Sequence, residues 1–149
     1  MDTAYLNNNG TSDAFLARAD SNGNVKWVKQ FGNAGADYIE DMAISNNYLY
    51  AIGGFQDSIN FGGTSLFNNG KDVFIAKFDS SGNAIWAHSI SCSGTTCAGN
   101  KIIVDNDGNT YVTGSFSGTA SFGNFQLNTT NPSDMFLARY DSAGKLFRC

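Results

Sequence analysis

Apolar residues along this chain come in short runs of strand length, separated by polar turn signals such as SNGN, SSGN, NDGN and SAGK. Stripes at three-and-four spacing do not persist beyond about two helical turns, so the pattern predicts strands and no long helix. In the run at 14–19, Phe15, Ala17 and Ala19 point one way while Ala14 and Leu16 point the other. In the run at 73–78, Phe74, Ala76 and Phe78 oppose Val73 and Ile75. Both faces are therefore apolar. A sheet lying on one core alternates apolar with polar residues, whereas a sheet covered on both sides does not. The small central alanines let neighbouring sheets come close.

The runs repeat. SDAFLARADSNGN at 12–24 returns as KDVFIAKFDSSGN at 71–83 and as SDMFLARYDSAGK at 133–145. Asp72 follows Asp13 by 59 residues, and Asp134 follows Asp72 by 62. A second landmark agrees: AIGGF then NFGG matches VTGSF then SFGN, with Gly114 following Gly53 by 61 residues. A helix-free unit of this length is too large for one coil of a β-helix and suits one β-propeller blade with an added loop.

Within the complete unit the expected strands lie near Glu40–Ser45, Tyr48–Phe55, Val73–Asp79 and Ala84–Ile90. The segment SINFGGTSLF is an extended excursion between the second and third. Asn46-Asn47 supplies a tight hairpin because asparagine tolerates positive φ, and Asp107-Gly108-Asn109 serves the same purpose in the next unit. The expected fold class is all-β, a partial β-propeller of four-stranded antiparallel blades numbering about two and a half. Residues 1–33 end a first blade, 34–91 form a complete one, and 92–149 form a third that stops within its last strand. The chain then reads as a fragment, with several copies completing one ring as the rival account.

Composition narrows the function classes. The 149 residues include 17 Gly, one Pro, 12 Phe and 6 Tyr, with 42% hydrophobic and 15% charged residues. That describes an aromatic-rich, turn-rich β protein with enough apolar content for a core. A net charge of -4 and a pI near 4.6 leave no basic stripe for a phosphate backbone, so nucleic acid is not an expected partner. No apolar run approaches the length that spans a bilayer, so membrane insertion is not expected. The opening MDTAYLNNNG has neither the charged nor the apolar segment of a signal peptide.

The pattern D-x-F-hydrophobic-A-(K/R)-x-D-S-x-G, followed by W, GNxYVTGSF and xFG, resembles the SBBP-type β-propeller repeat over nearly the whole chain. The resemblance implies a non-catalytic segment of a larger exported or cell-surface bacterial protein, hence an extracellular location. It further implies a scaffold that binds protein or glycan ligands and packs against neighbouring blades. The chain departs from the pattern at its end, where the place of Trp27 and Trp86 falls on Arg148 and an aromatic, Phe147, stands one position earlier.

Candidate sites are sparse. Asp105 and Asp107 in DNDGN are the candidate metal carboxylates, although no later Glu completes a calcium loop and hairpin-turn chemistry accounts for both. Trp27 and Trp86 offer a sugar-stacking platform or, given their matched positions, packing between repeats. His88 is the sole histidine, so a zinc cluster or a His-activated nucleophile lacks its other members. Cys92 and Cys97 lie five apart where the preceding unit has no cysteine; an exported protein would pair them in a local disulfide, leaving Cys149 single. No catalytic residue and no cofactor are expected. The alternative is a segment of a propeller enzyme, quinoprotein-like or hydrolase, whose docking motif Ala-x-Asp-x-x-x-Gly-x-x-x-Trp is echoed around Trp27 and Trp86 and whose catalytic residues lie elsewhere.

Overall fold

The structure is a computed structural model that describes residues 5–148. Among these the chain is all-β with antiparallel sheets and no helix, and hence no helix long and apolar enough to cross a membrane. Strands β1 (Ala14–Ala19) and β2 (Val25–Phe31) form a two-stranded sheet. Strands β3 (Tyr38–Ser45), β4 (Tyr48–Asn60), β5 (Ser65–Phe78) and β6 (Ala84–Cys92) form a consecutive meander. Strands β7 (Cys97–Val104), β8 (Thr110–Phe116), β11 (Asp134–Tyr140) and β12 (Leu146–Arg148) form a third sheet. Between β8 and β11, a short hairpin of β9 (Thr119–Phe122) and β10 (Phe125–Asn128) crosses over. It joins the edge of the middle sheet, where Ser121 pairs with Ser91 and Ala120 with Cys92.

Local chemistry explains the turns. Asn46 and Asn47 take φ of 50° and 64°, which closes the β3–β4 hairpin in two residues. The β7–β8 turn is longer: Asp105 N–H donates to the Asn109 carbonyl and Gly108 N–H to the Asp105 carbonyl, so it spans Asp105–Asn109 rather than three residues. The excursion after the second strand is also more regular than expected. β4 continues to Asn60 and β5 starts at Ser65, with a kink between Gln56 and Ser58 where Asp57 adopts φ of 62°. In the third sheet the corresponding stretch breaks into the separate hairpin β9–β10.

Register also explains the repeated glycines. Gly53 pairs with Phe74 and Gly114 with Phe136. A Cβ at Gly53 would sit 2.8 Å from the Phe74 ring, and one at Gly114 would sit 2.4 Å from the Phe136 ring. Each phenyl ring lies over the strand opposite and needs the space that only glycine leaves.

The middle sheet is apolar on both sides and is covered on both sides. Val73, Ile75, Tyr50, Ile52 and Trp86 enter one core with Ile102, Val112, Phe136 and Tyr140 of the third sheet. Phe74, Ala76, Phe78, Ala51 and Phe55 enter a second core with Ala14, Leu16 and Phe31 of the first. Phe61, from the β4–β5 turn, stacks among Phe31, Phe74 and Phe78 at centroid distances of 5.2–5.7 Å. Each fully buried aliphatic or aromatic side chain contributes roughly 1.5–3 kcal/mol, so these two cores dominate the stability.

Phe15 and Phe74 hold the same place in the repeat, yet Phe74 is 0% exposed and Phe15 is 58% exposed. Phe74→Ala is expected to cost about 3–5 kcal/mol and Phe15→Ala less than about 0.5 kcal/mol in urea unfolding. Equal losses would contradict the one-sided covering of the first sheet.

Candidate functional site

Three sequence features converge on one recurring joint. The second and third Asp-Ser-x-Gly turns each present the carbonyl of their serine to the preceding sheet. At the first joint, Arg18 Nη1 donates to the Ser80 carbonyl at 2.6 Å and Trp27 Nε1 donates to it at 3.0 Å. At the second, Lys77 Nζ donates to the Ser142 carbonyl at 3.1 Å and Trp86 Nε1 at 3.4 Å. The pairing register places Arg18 opposite Trp27 and Lys77 opposite Trp86, so a cation and an indole reach the same acceptor side by side.

The glycine of each turn completes the seat. Gly82 and Gly144 have φ of +76° and +83°, and a Cβ on either would lie 2.9 Å or less from the Trp27 or Trp86 side. The indoles are thus covered by the next turn, which is packing and not an open platform for a sugar. The sequence pattern marks the indole, the glycine and the Lys/Arg position but not their meeting, because the shared acceptor is a backbone carbonyl with no side-chain signature. The fixed spacing of nine residues from Arg18 to Trp27 and from Lys77 to Trp86 was the available signal.

Lys77 is almost buried, 7% exposed. Its ammonium lies 4.3 Å from the Tyr48 ring centroid and 5.3 Å from that of Tyr50, so two aromatic faces and one carbonyl replace its water. His88 stacks between Trp86, at 5.4 Å, and Tyr140, at 5.9 Å with rings 10° apart. Burial holds its pKa below the ordinary histidine value, so the ring packs as a neutral aromatic near pH 7. It works as a layer in this stack.

The carboxylates of the turns are occupied. Asp105 accepts from Asp107 N, Asn109 N, Asn109 Nδ2 and Tyr111 OH. These donors, that of the Asn109 side chain foremost, hold its pKa below the usual range. Asp79 makes the same Asx-type clamp on Ser81 and Asn83, and Asp20 makes it on Asn22 and Asn24 with Lys26 at 2.9 Å, which lowers its pKa to about 2. Asp107 is exposed and contributes its N–H to the clamp. Among the described residues no group of three or more His, Cys, Asp or Glu is arranged to hold a metal ion.

Cys92 and Cys97 form a disulfide that closes the link from β6 to β7. Register equates this pair with Asn33 and Asp37 in the link from β2 to β3, where Asn33 N–H donates to Asp37 Oδ2 at 3.1 Å and Gln56 N–H to Oδ1 at 3.2 Å. Cys149 lies outside the described residues. Two open grooves flank the joints. One of about 590 Å³ is lined by His88, Phe122, Phe125, Tyr140 and Lys145. The other, of about 480 Å³, is lined by Lys29, Phe31, Phe61 and Asn83. They occupy matching places beside successive hairpins, and each is lined by one lysine, Lys145 in the first and Lys29 in the second. No protein-family model matches the chain, and no curated protein matches it.

Two outcomes follow from this chemistry. With Cys92 and Cys97 five residues apart, the chain-entropy model assigns the bond about 2 kcal/mol. The Cys92→Ser, Cys97→Ser double variant should lower urea stability by that amount, and an unchanged midpoint would show that the link is held otherwise. Asp72 is buried, which raises its pKa despite hydrogen bonds from Ser91 and from the Cys92 backbone. A carboxyl whose folded pKa exceeds its unfolded value binds more protons when folded, so its contribution declines as pH rises from about 4 through the folded pKa. The melting temperature of Asp72→Asn should therefore gain on the wild type as pH rises through that window. A gain in the opposite direction would refute the assignment.

Proposed function

We propose that this chain is a run of β-propeller blades of the SBBP-like kind that its repeat resembles, serving as a non-catalytic binding scaffold in an exported or cell-surface bacterial protein. The observation that carries the reading is the recurring joint, in which an Arg or Lys and a Trp of one unit clasp the serine carbonyl of the next unit's Asp-Ser-x-Gly turn. A joint repeated in place after each unit of about 60 residues is what a radial array of like sheets requires.

A four-stranded meander with both faces buried supports the same reading. The disulfide is in keeping with an oxidising compartment. The outer ends of β4–β5 and the β9–β10 hairpin then provide the binding rim, and the grooves beside them provide its concave surface.

The segment 56–69 is the loop to exchange, since its tip around Gly62 and Gly63 is exposed and makes no demand on the cores. Replacing its exposed residues with Gly-Ser sequence while retaining Ile59 and Phe61 should abolish or redirect capture on a printed glycan array and leave the circular dichroism spectrum unchanged. An unaltered array profile would argue against a binding rim at this hairpin. Separately, a small-angle scattering profile of a straight stack, without curvature, would remove the propeller itself.

A further inference from the structure

The joint has two halves, and each outer face of the molecule carries one of them open. The forward half consists of the cation and the aliphatic pair of the third strand in each unit. In the middle unit these are Lys77 with Val73 and Ile75, and the two aliphatic residues are 0% exposed. Their equivalents in the last unit are Arg139 with Met135 and Leu137, exposed by 77% and 58%. The Arg139 guanidinium lies 5.6 Å from the Tyr111 ring and 4.6 Å from that of Phe147, and its Nε is buried with no hydrogen-bond acceptor. Register places Arg139 opposite Arg148, as it places Lys77 opposite Trp86.

The rear half is the turn and the third-strand aromatic. Ser80 and Ser142 lie under the preceding sheet, and Gly82 and Gly144 touch an indole. In the first unit the matching turn is Asp20–Gly23, held in shape by Asp20 and Lys26. Nothing lies within 4 Å of where a Gly23 Cβ would be. Phe15, on the same face, is 58% exposed, while its equivalent Phe74 is 0% exposed.

We propose that two copies of this chain associate head to tail through the joint that holds its own units together. The Arg139 guanidinium of one copy donates to the Ser21 carbonyl of the next, and Met135 and Leu137 pack against Phe15. A second copy is the partner because it carries the complementary half with the same residue types and turn conformation that the first and second joints already use. The contact is heterologous, so each copy uses one face for each neighbour. This inference rests on the joint and not on what the rim binds, so the array experiment and the following one fail independently.

The test uses the wild-type chain with Leu137→Glu, Phe15→Glu and Arg139→Ala, followed by analytical ultracentrifugation across a concentration series. The two glutamates go in at positions exposed in the single chain, and circular dichroism confirms that each variant folds. The wild type should gain mass with concentration, and Leu137→Glu and Phe15→Glu should each remain monomeric. Their equimolar mixture should form a dimer and grow no further, because one copy keeps its rear face and the other its forward face. Arg139→Ala should weaken self-association at least about tenfold, as loss of a charge-assisted hydrogen bond implies. A monomeric wild type, a single glutamate variant that associates like the wild type, or a mixture that stays monomeric would each overturn the proposal.

Discussion

A strand that is apolar on both faces has to be covered on both faces, and the rest of this molecule follows from that constraint. For β5 the two sides carry Val73 and Ile75 against Phe74, Ala76 and Phe78, all buried. No single sheet resting on one core satisfies such a strand. The covering comes from β1 and β2 on one side and from β7, β8 and β11 on the other. Apolar burial supplies most of the energy, roughly 1.5–3 kcal/mol for each large side chain, but it has no direction. Direction comes from the smaller contributions. The hydrogen bonds from Trp27, Trp86, Arg18 and Lys77 to serine carbonyls contribute about 0.5–3 kcal/mol each, and they fix which turn sits over which sheet.

Much of this was legible in the residues because the repeat is written in side chains that must be particular types. Phe74 and Phe136 require Gly53 and Gly114 across the sheet, and the sequence shows both pairs at nearly constant spacing. The turns Asp79-Ser80-Ser81-Gly82 and Asp141-Ser142-Ala143-Gly144 were readable as turns, since aspartate clamps the backbone and glycine adopts positive φ. Their second duty as acceptors for the neighbouring unit was not readable, because a serine carbonyl looks like any other carbonyl in a sequence. The buried seat of Lys77 was hidden for a related reason. Tyr48 and Tyr50 lie more than twenty residues before it, and only the β4–β5 pairing brings them beneath the ammonium.

Strand lengths were harder. The excursion SINFGGTSLF carries Phe61, Gly62 and Gly63, which read as a loop, yet Ser58, Ile59 and Asn60 pair with Phe67, Leu66 and Ser65 and continue the ladder. Burial of Ile59 and Phe61 against the first sheet explains why: tertiary covering overrides the local turn signal. In the next unit Phe122 performs the same covering from β9, edge to face with Phe136 at 5.1 Å, although the hairpin there has detached from its long strands. The aromatic contact is retained and the backbone route to it varies.

The two links between sheets carry the same reasoning to its last step. Both must hold a chain that leaves one sheet and enters the next, and both do so with a residue at the start of the new first strand. In the first link Asp37 gathers two backbone N–H groups at the expense of burying a carboxylate, and burial raises its pKa above the usual value. A carboxyl with a raised pKa binds its proton more readily in the folded chain, so the contribution of this link declines as pH rises through that pKa. In the second, Cys97 holds Cys92 covalently and carries no charge, so that link responds to reducing potential and not to pH. The core on one face of the middle sheet is thus secured by electrostatics and the core on the other by a bond, and rising pH and added thiol should loosen opposite faces of the same sheet first.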